Sequence, residues 1–264
     1  MILRSIPILV LYVLLSCTSS RAPAPATDNQ TEPQAFTITT IDSLHITIIS
    51  IPEISEFLFL NNPGKPLAEV AAERGYSLAV NASYFDYERP LPLDPKKIQF
   101  LHAGYLRIQD SVYADRMPEE RQLTSLFCYN FDSDESAFLT QDQLAEAQAF
   151  DLVVQTGPQL IRHGIVQEEE IMNSLNGMGQ HARTALASVN GNEHYIVLAR
   201  KTMLHPGVDL ITLGQELLTS GLFKGDLNVV NLDGGSSTSL YLRDYPESSF
   251  ESGRQILPAI IGVK

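Results

Sequence analysis

The stretch "LNVVNLDGGSSTSLYL", residues 227–242, places two short apolar runs on either side of one carboxylate, two glycines and a row of hydroxyls. The runs 228–232 and 238–242 are rich in β-branched and large apolar residues and read as strands. Between them, Asp233-Gly234-Gly235 is competent as a tight turn, because glycine takes positive φ freely and Asp bonds the backbone ahead of it. A hairpin therefore accounts for those three residues. It leaves Ser236, Ser237, Thr238 and Ser239 unexplained. Hydroxyls beside two unhindered glycines allow N–H and O–H groups to converge on an oxyanion.

Outward from this point the chain alternates irregularly between strands and a few helices. Segments 36–51, 55–62, 76–85, 101–108, 123–131, 151–156, 159–162, 184–189, 194–200 and 256–263 read as further strands. Residues 66–75 read as a helix, with Pro66 at its start and Gly75 past its end. Helices are also expected over 140–149 and 209–220. Strands outnumber helices and lack a regular β-α-β rhythm, so the fold class is α+β, a single mixed domain with a strand-rich core.

The domain is expected to span 36–264. Ahead of it, residues 18–35 are rich in Pro, Ala, Ser and Thr, with no large apolar side chains to bury, and read as a flexible tether. The first residues, "MILRSIPILVLYVLLSC", carry Arg4 and then an apolar run too short to span a bilayer as an ordinary helix. That layout is an export signal over 1–16. Leu14-Leu15-Ser16-Cys17 resembles the lipobox of bacterial lipoproteins, in which Cys17 becomes the lipidated N-terminus. Lipidation at Cys17 implies a bacterial cell-envelope address and a membrane anchor. Thr18 is not an inner-membrane retention residue, which favours the outer membrane.

The 264 residues carry 18 Lys and Arg against 31 Asp and Glu, for a formal net charge of −13. Such a balance argues against nucleic acid as a partner, which needs a cationic face. Besides Cys17 the only cysteine is Cys128, in the apolar stretch "LTSLFCYNF", where a buried, inert thiol and no disulfide are expected.

Four segments, in order, resemble the phosphodiester glycosidase family, whose type domain is N-acetylglucosamine-1-phosphodiester alpha-N-acetylglucosaminidase-like. "NLDGGSSTSLY" (231–241), preceded by "LITLGQELLTSG" (210–221), resembles its strongest signature. "LAVNASYFD" (78–86), "VQTGPQLIRHG" (154–164) and "ARTALA" (182–187) resemble three others. Ala82-Ser83 departs from the paired glycines usual after the Asn, and Ser236 stands where a third glycine is common. Added side-chain atoms at those places are expected to reshape the pocket.

The resemblance implies a hydrolase acting on a carbohydrate or sugar-phosphate substrate. Cleaving a sugar from phosphate needs a carboxylate, a cation for the departing phosphate and donors for sugar hydroxyls. Asp233 is expected as nucleophile or base, with Asp86 as the second candidate. Arg183, with its rigid fork, is expected as the phosphate clamp. Asn81, Ser236, Ser237 and Thr238 are expected as donors, Gly234 and Gly235 as unhindered backbone, and Gly157 as a turn presenting backbone. His163 and His181 lack metal-ligand spacing, so neither metal nor cofactor is expected. The G-x-S-x-G and S-x-x-K patterns of serine hydrolases are absent. The alternative from another class is a glycan-binding envelope lipoprotein that kept the pocket and lost the reaction.

Overall fold

The computed structural model describes residues 36–61, 64–88, 99–116, 123–254 and 256–264. The expected signal segment, Cys17 and the tether lie outside them.

Strand Leu227–Asn231 and strand Ser239–Leu242 do not form a hairpin; they belong to different sheets. The first lies in a seven-stranded sheet ordered Thr37–Ile41, Ile46–Ile51, Glu193–Ala199, Arg183–Val189, Leu227–Asn231, Gln159–Arg162, Ile165–Val166. The second lies in a five-stranded sheet ordered Phe250–Glu251, Ser239–Leu242, Leu78–Asn81, Ala259–Val263, Glu56–Phe59. A third sheet runs Glu135–Thr140, Ser125–Asn130, Leu152–Thr156, Leu106–Ile108, Ser111–Ala114, and a separate ribbon pairs Phe85–Glu88 with Gln99–His102. Neighbouring strands are antiparallel throughout the described residues. The α+β reading holds.

Alternation decides which face each strand gives to the core. In Arg183–Val189, Leu186 faces the central cluster with Ile49, Val80, Val154, Val230 and Ile261, drawn from all three large sheets. Ala185, Ala187 and Val189 face the other way, and their small side chains leave room for Leu210, Leu213 and Leu217 of the helix Leu210–Thr219. The seven-stranded sheet is thereby covered on both faces, which is why its central strands read as unbroken apolar runs. Removing that much apolar surface from water is the main stabilising term.

The helix at 66–75 forms as expected over Leu67–Arg74, with Gly75 closing it at φ 71°. The helix at 209–220 forms over Leu210–Thr219, and the Asp209 carboxylate accepts the Thr212 N–H at 2.9 Å. Four readings are corrected: the run 101–108 divides between Gln99–His102 in the ribbon and Leu106–Ile108 in the third sheet, and the helix expected over 140–149 is α-helical only at Leu144–Ala147. The run 36–51 breaks at Asp42–Leu44 into two strands, because Asp-Ser interrupts the β-branched pattern. The run 76–85 ends as a strand at Asn81, because that side chain turns to a task described below. Cys128 is buried in the sheet interior, and burial pushes its thiol up to about 12.

Candidate active site

The loop 233–238 crosses from one sheet to the other and is fastened to both. The Asp233 N–H donates to the Ala82 carbonyl at 2.9 Å, just past a strand of the second sheet. The Gly235 N–H donates to the Ala182 carbonyl at 2.7 Å, just before a strand of the first. Each glycine has its own reason. A Cβ on Gly234 would lie 2.9 Å from the Ala182 carbonyl oxygen, whereas Gly235 has open space but sits at φ +61°.

Asn81 lies beneath this loop and is 1% exposed. Its amide nitrogen donates to the Asp233 carbonyl, and its oxygen accepts from the Thr184 hydroxyl at 2.8 Å and the Ser239 N–H at 3.0 Å. This corrects its expected role. With its nitrogen bonded to the Asp233 carbonyl, its oxygen taken by two donors and the side chain buried outside the cleft lining, Asn81 braces the loop 233–238 and is not placed to donate to a sugar.

Gly157 is corrected in the same sense. It is buried before a cis bond to Pro158, and its carbonyl accepts the Tyr84 hydroxyl at 3.0 Å. The Tyr84 oxygen also accepts from the Asn231 amide at 2.6 Å. Gly157 thus aims Tyr84. Every one of the four segments is hydrogen-bonded to another of them at this seam.

The cleft above the seam holds about 280 Å³ and is lined by Tyr84, Leu175, Asn176, His181, Arg183, Asp233, Gly234 and Gly235. Asp233, Arg183, Gly234 and Gly235 therefore share one cleft. Burial pushes the Asp233 carboxyl up to about 6, against the opposing pull of the Ser237 hydroxyl, the Arg254 cation and the Gly234 amide. Burial, and then the charge of Asp233, hold the Tyr84 phenol far above its ordinary value, so it stays neutral. Burial, and then the Arg183 cation, lower His181 below its ordinary value and favour the neutral ring.

The hydroxyl run divides. Ser236 is exposed, Ser237 is 4% exposed and turned to Asp233, and Thr238 is 0% exposed. The buried Thr238 hydroxyl has no partner among the described residues and does not line the cleft, which corrects its expected role as a sugar donor.

Arg183 sits in the cleft wall but is already engaged. Its Nε donates to the Val208 carbonyl at 3.0 Å, and its Nη2 donates to the carbonyls of Asn176 at 2.7 Å and of Gly179. It ties the 176–179 loop to the sheet. Asp86 does not join the cleft. It is exposed, on the ribbon Phe85–Glu88, and lines a separate cleft with Asn61, Phe100 and His102. Side chains alternate along the ribbon, so Asp86 and its neighbour Phe85 point to opposite faces of it.

Ala82 and Ser83 do not narrow the cleft. Ala82 is 0% exposed, and the Ser83 Oγ lies 2.6 Å from the His102 Nε2 with both residues buried. Burial lowers His102 to about 4, and its Nδ1 lies 3.0 Å from the Gly104 carbonyl.

Sequence reasoning missed Arg254, whose guanidinium lies over the Phe85 ring at 5.0 Å and whose charge acts on Asp233. It stands in "ESGRQILP", residues 251–258, where no pattern marks it. Among the described residues no group of three or more His, Cys, Asp or Glu could hold a metal ion.

A search of curated proteins gives no match. Among solved structures, the chain is similar to the zebrafish N-acetylglucosamine-1-phosphodiester alpha-N-acetylglucosaminidase catalytic domain auto-inhibited by pro-peptide. That likeness has 18% identity and a TM-score of 0.59, covering 87% of this chain and 81% of the other. It is also similar to a hypothetical protein from Synechocystis, with 15% identity and a TM-score of 0.50, covering 86% of this chain and 61% of the other. These likenesses concern the fold. The profile of the phosphodiester glycosidase family matches residues 74–264 and takes in all four segments of the seam, and the chain belongs to that family.

Proposed function

We propose that this protein hydrolyses the bond between the anomeric carbon of a sugar and a phosphodiester oxygen. The observation that carries the reading is Asp233: a carboxyl raised to about 6, fixed by backbone bonds to two sheets, at the floor of a small polar cleft. Ionised above that pH, it removes a proton from water attacking the anomeric carbon, or attacks that carbon itself to form a glycosyl ester that water then hydrolyses to free sugar and carboxylate. The carbon–oxygen bond breaks and the phosphate leaves with its electron pair. A phosphate leaves readily, so one carboxylate is enough where ordinary glycosides call for a pair. The Gly234 amide and the Ser237 hydroxyl favour the carboxylate form of Asp233 and hold it ready for this step.

A cleft of about 280 Å³ lies at the lower end of small-molecule sites and suits one sugar ring with its phosphate more than a long glycan. The zebrafish relative's name specifies N-acetylglucosamine-1-phosphodiesters, which makes that sugar the first to try. The address follows from the sequence: export, lipidation at Cys17, and a substrate in the cell envelope.

The test incubates the protein with a panel of sugar-1-phosphodiesters and measures free reducing sugar. Turnover by wild type, lost in Asp233→Asn, is the expected result; no turnover across the panel refutes the reading. Lipid labelling of wild type and its loss in Cys17→Ser checks the address. The departure at Ala82-Ser83 gives no support to the glycan-binding alternative, because both side chains are buried away from the cleft.

A further inference from the structure

We infer that Arg254, and not Arg183, holds the anion of the substrate, an inference that rests on the phosphodiester reading of the same site. The two arginines differ in what their forks already do. Arg183 spends Nε and Nη2 on three backbone carbonyls, those of Val208, Asn176 and Gly179. The bidentate face that would grip a phosphate is occupied. Arg254 donates no side-chain hydrogen bond among the described residues, and its Nε is buried without a partner.

A buried donor left unpaired costs about 1–3 kcal/mol. Arg254 is not one of the residues that line the cleft, but its backbone is bonded to the loop that carries Asp233, so an anion bound at that loop is the ligand that would pair it. The rest of the guanidinium is presented, not dangling. It lies over the Phe85 ring with its carbon 5.0 Å from the centroid, and its edge donors have no partner among the described residues. Phe85 directly follows Tyr84, a cleft residue.

The backbone behind it is fixed as well. The Arg254 N–H donates to the Ser236 carbonyl at 2.8 Å, and the Ser252 N–H donates to the Thr238 carbonyl at 2.9 Å. Residues 252–254 therefore run beside the catalytic loop. Gly253, at φ +151°, allows the approach. Asp233 already feels the Arg254 charge. A phosphate held there sits beside the carboxyl that works on the anomeric carbon, on a cation still able to form two charge-assisted bonds.

The test titrates the full chain with inorganic phosphate by calorimetry, in wild type, Arg254→Met and Arg254→Lys. Wild type is expected to bind phosphate, Arg254→Met to bind at least tenfold more weakly, and Arg254→Lys to recover part of the loss. Melting temperatures without phosphate should stay close across the three, separating a binding role from a structural one. Equal phosphate affinity in Arg254→Met and wild type overturns the inference, as does a wild type that binds no phosphate at millimolar concentration. Sugar-1-phosphodiester turnover is measured in parallel. Wild type that binds phosphate through Arg254 but turns over no phosphodiester refutes the hydrolase reading and leaves Arg254 as an anion site. Turnover with Arg254-independent phosphate binding does the reverse.

Discussion

Asp233→Asn should stabilise the protein at neutral and alkaline pH while abolishing its activity. The folded carboxyl titrates at about 6 against an ordinary value of 3.8, so the folded state binds its proton more tightly than the unfolded chain does. The stability associated with that proton is fully present below the unfolded value and is lost as pH rises through about 6. At about 1.4 kcal/mol per pH unit the gap corresponds to ~3 kcal/mol, an upper figure because Asp233 is half-buried and water screens part of the cost.

Asparagine is nearly isosteric and carries no charge at any pH, so the variant escapes this penalty. A domain of this size gains roughly 2–4 °C in Tm per kcal/mol. The Tm gap between variant and wild type should therefore widen by roughly 5–10 °C between pH 4 and pH 8. Differential scanning calorimetry of both proteins in paired buffers reads this directly, and every other titrating group cancels in the comparison. Activity should fall at least about a hundredfold, the low end for an acid–base group. A Tm gap that stays flat across the range would show that Asp233 ionises normally and that the electrostatic account of the site is wrong.

Other outcomes follow from the same contacts. With Asp233 as the base, kcat/KM should rise with pH through a limb near 6, and that limb should move to higher pH in Arg254→Met, because a cation that favours the carboxylate is gone. Arg183→Lys should lower stability by about 2–3 kcal/mol in a thermal melt, since one ammonium cannot replace the forked bonds to three carbonyls; an unchanged melt would show that those bonds are incidental. Gly234→Ala forces a Cβ to within 2.9 Å of a backbone oxygen and should cost about 1–3 kcal/mol with loss of turnover. Gly235→Asn, in open space at a φ that Asn tolerates, should cost less than Gly234→Ala in the same assays.

The sequence disclosed the strands well and their partners poorly. Alternation and β-branched residues locate Arg183–Val189 or Leu227–Asn231, because those patterns record burial. They do not record which sheet a strand joins. The hairpin expected at 233–235 is locally sound turn chemistry. It fails because Leu227–Asn231 and Ser239–Leu242 each find better partners elsewhere, in Arg183–Val189 and Leu78–Asn81. Asp86 fails for a related reason. Its type and its place in a motif qualify it, and only the two-residue period of a ribbon starting at Phe85 turns it away from Asp233.

The legible part of the site and its chemically committed part are not the same residues. Asn81, Thr184, Asn231 and Gly157 stand out in the motifs, and their polar groups are directed mainly at one another or at loop backbone. They fix where Asp233 stands relative to Tyr84, a placement that any substrate with a reacting anomeric carbon would require. What distinguishes one phosphodiester from another must come from groups still free to meet it. Among the described residues those are Arg254 and the rim side chains Leu175 and His181, all outside the most recognisable positions. Resemblance at the seam therefore carries over the scaffold and, under the proposed function, the placing of the Asp233 carboxyl. The identity of the sugar and of its aglycone has to be sought in residues the motifs do not contain.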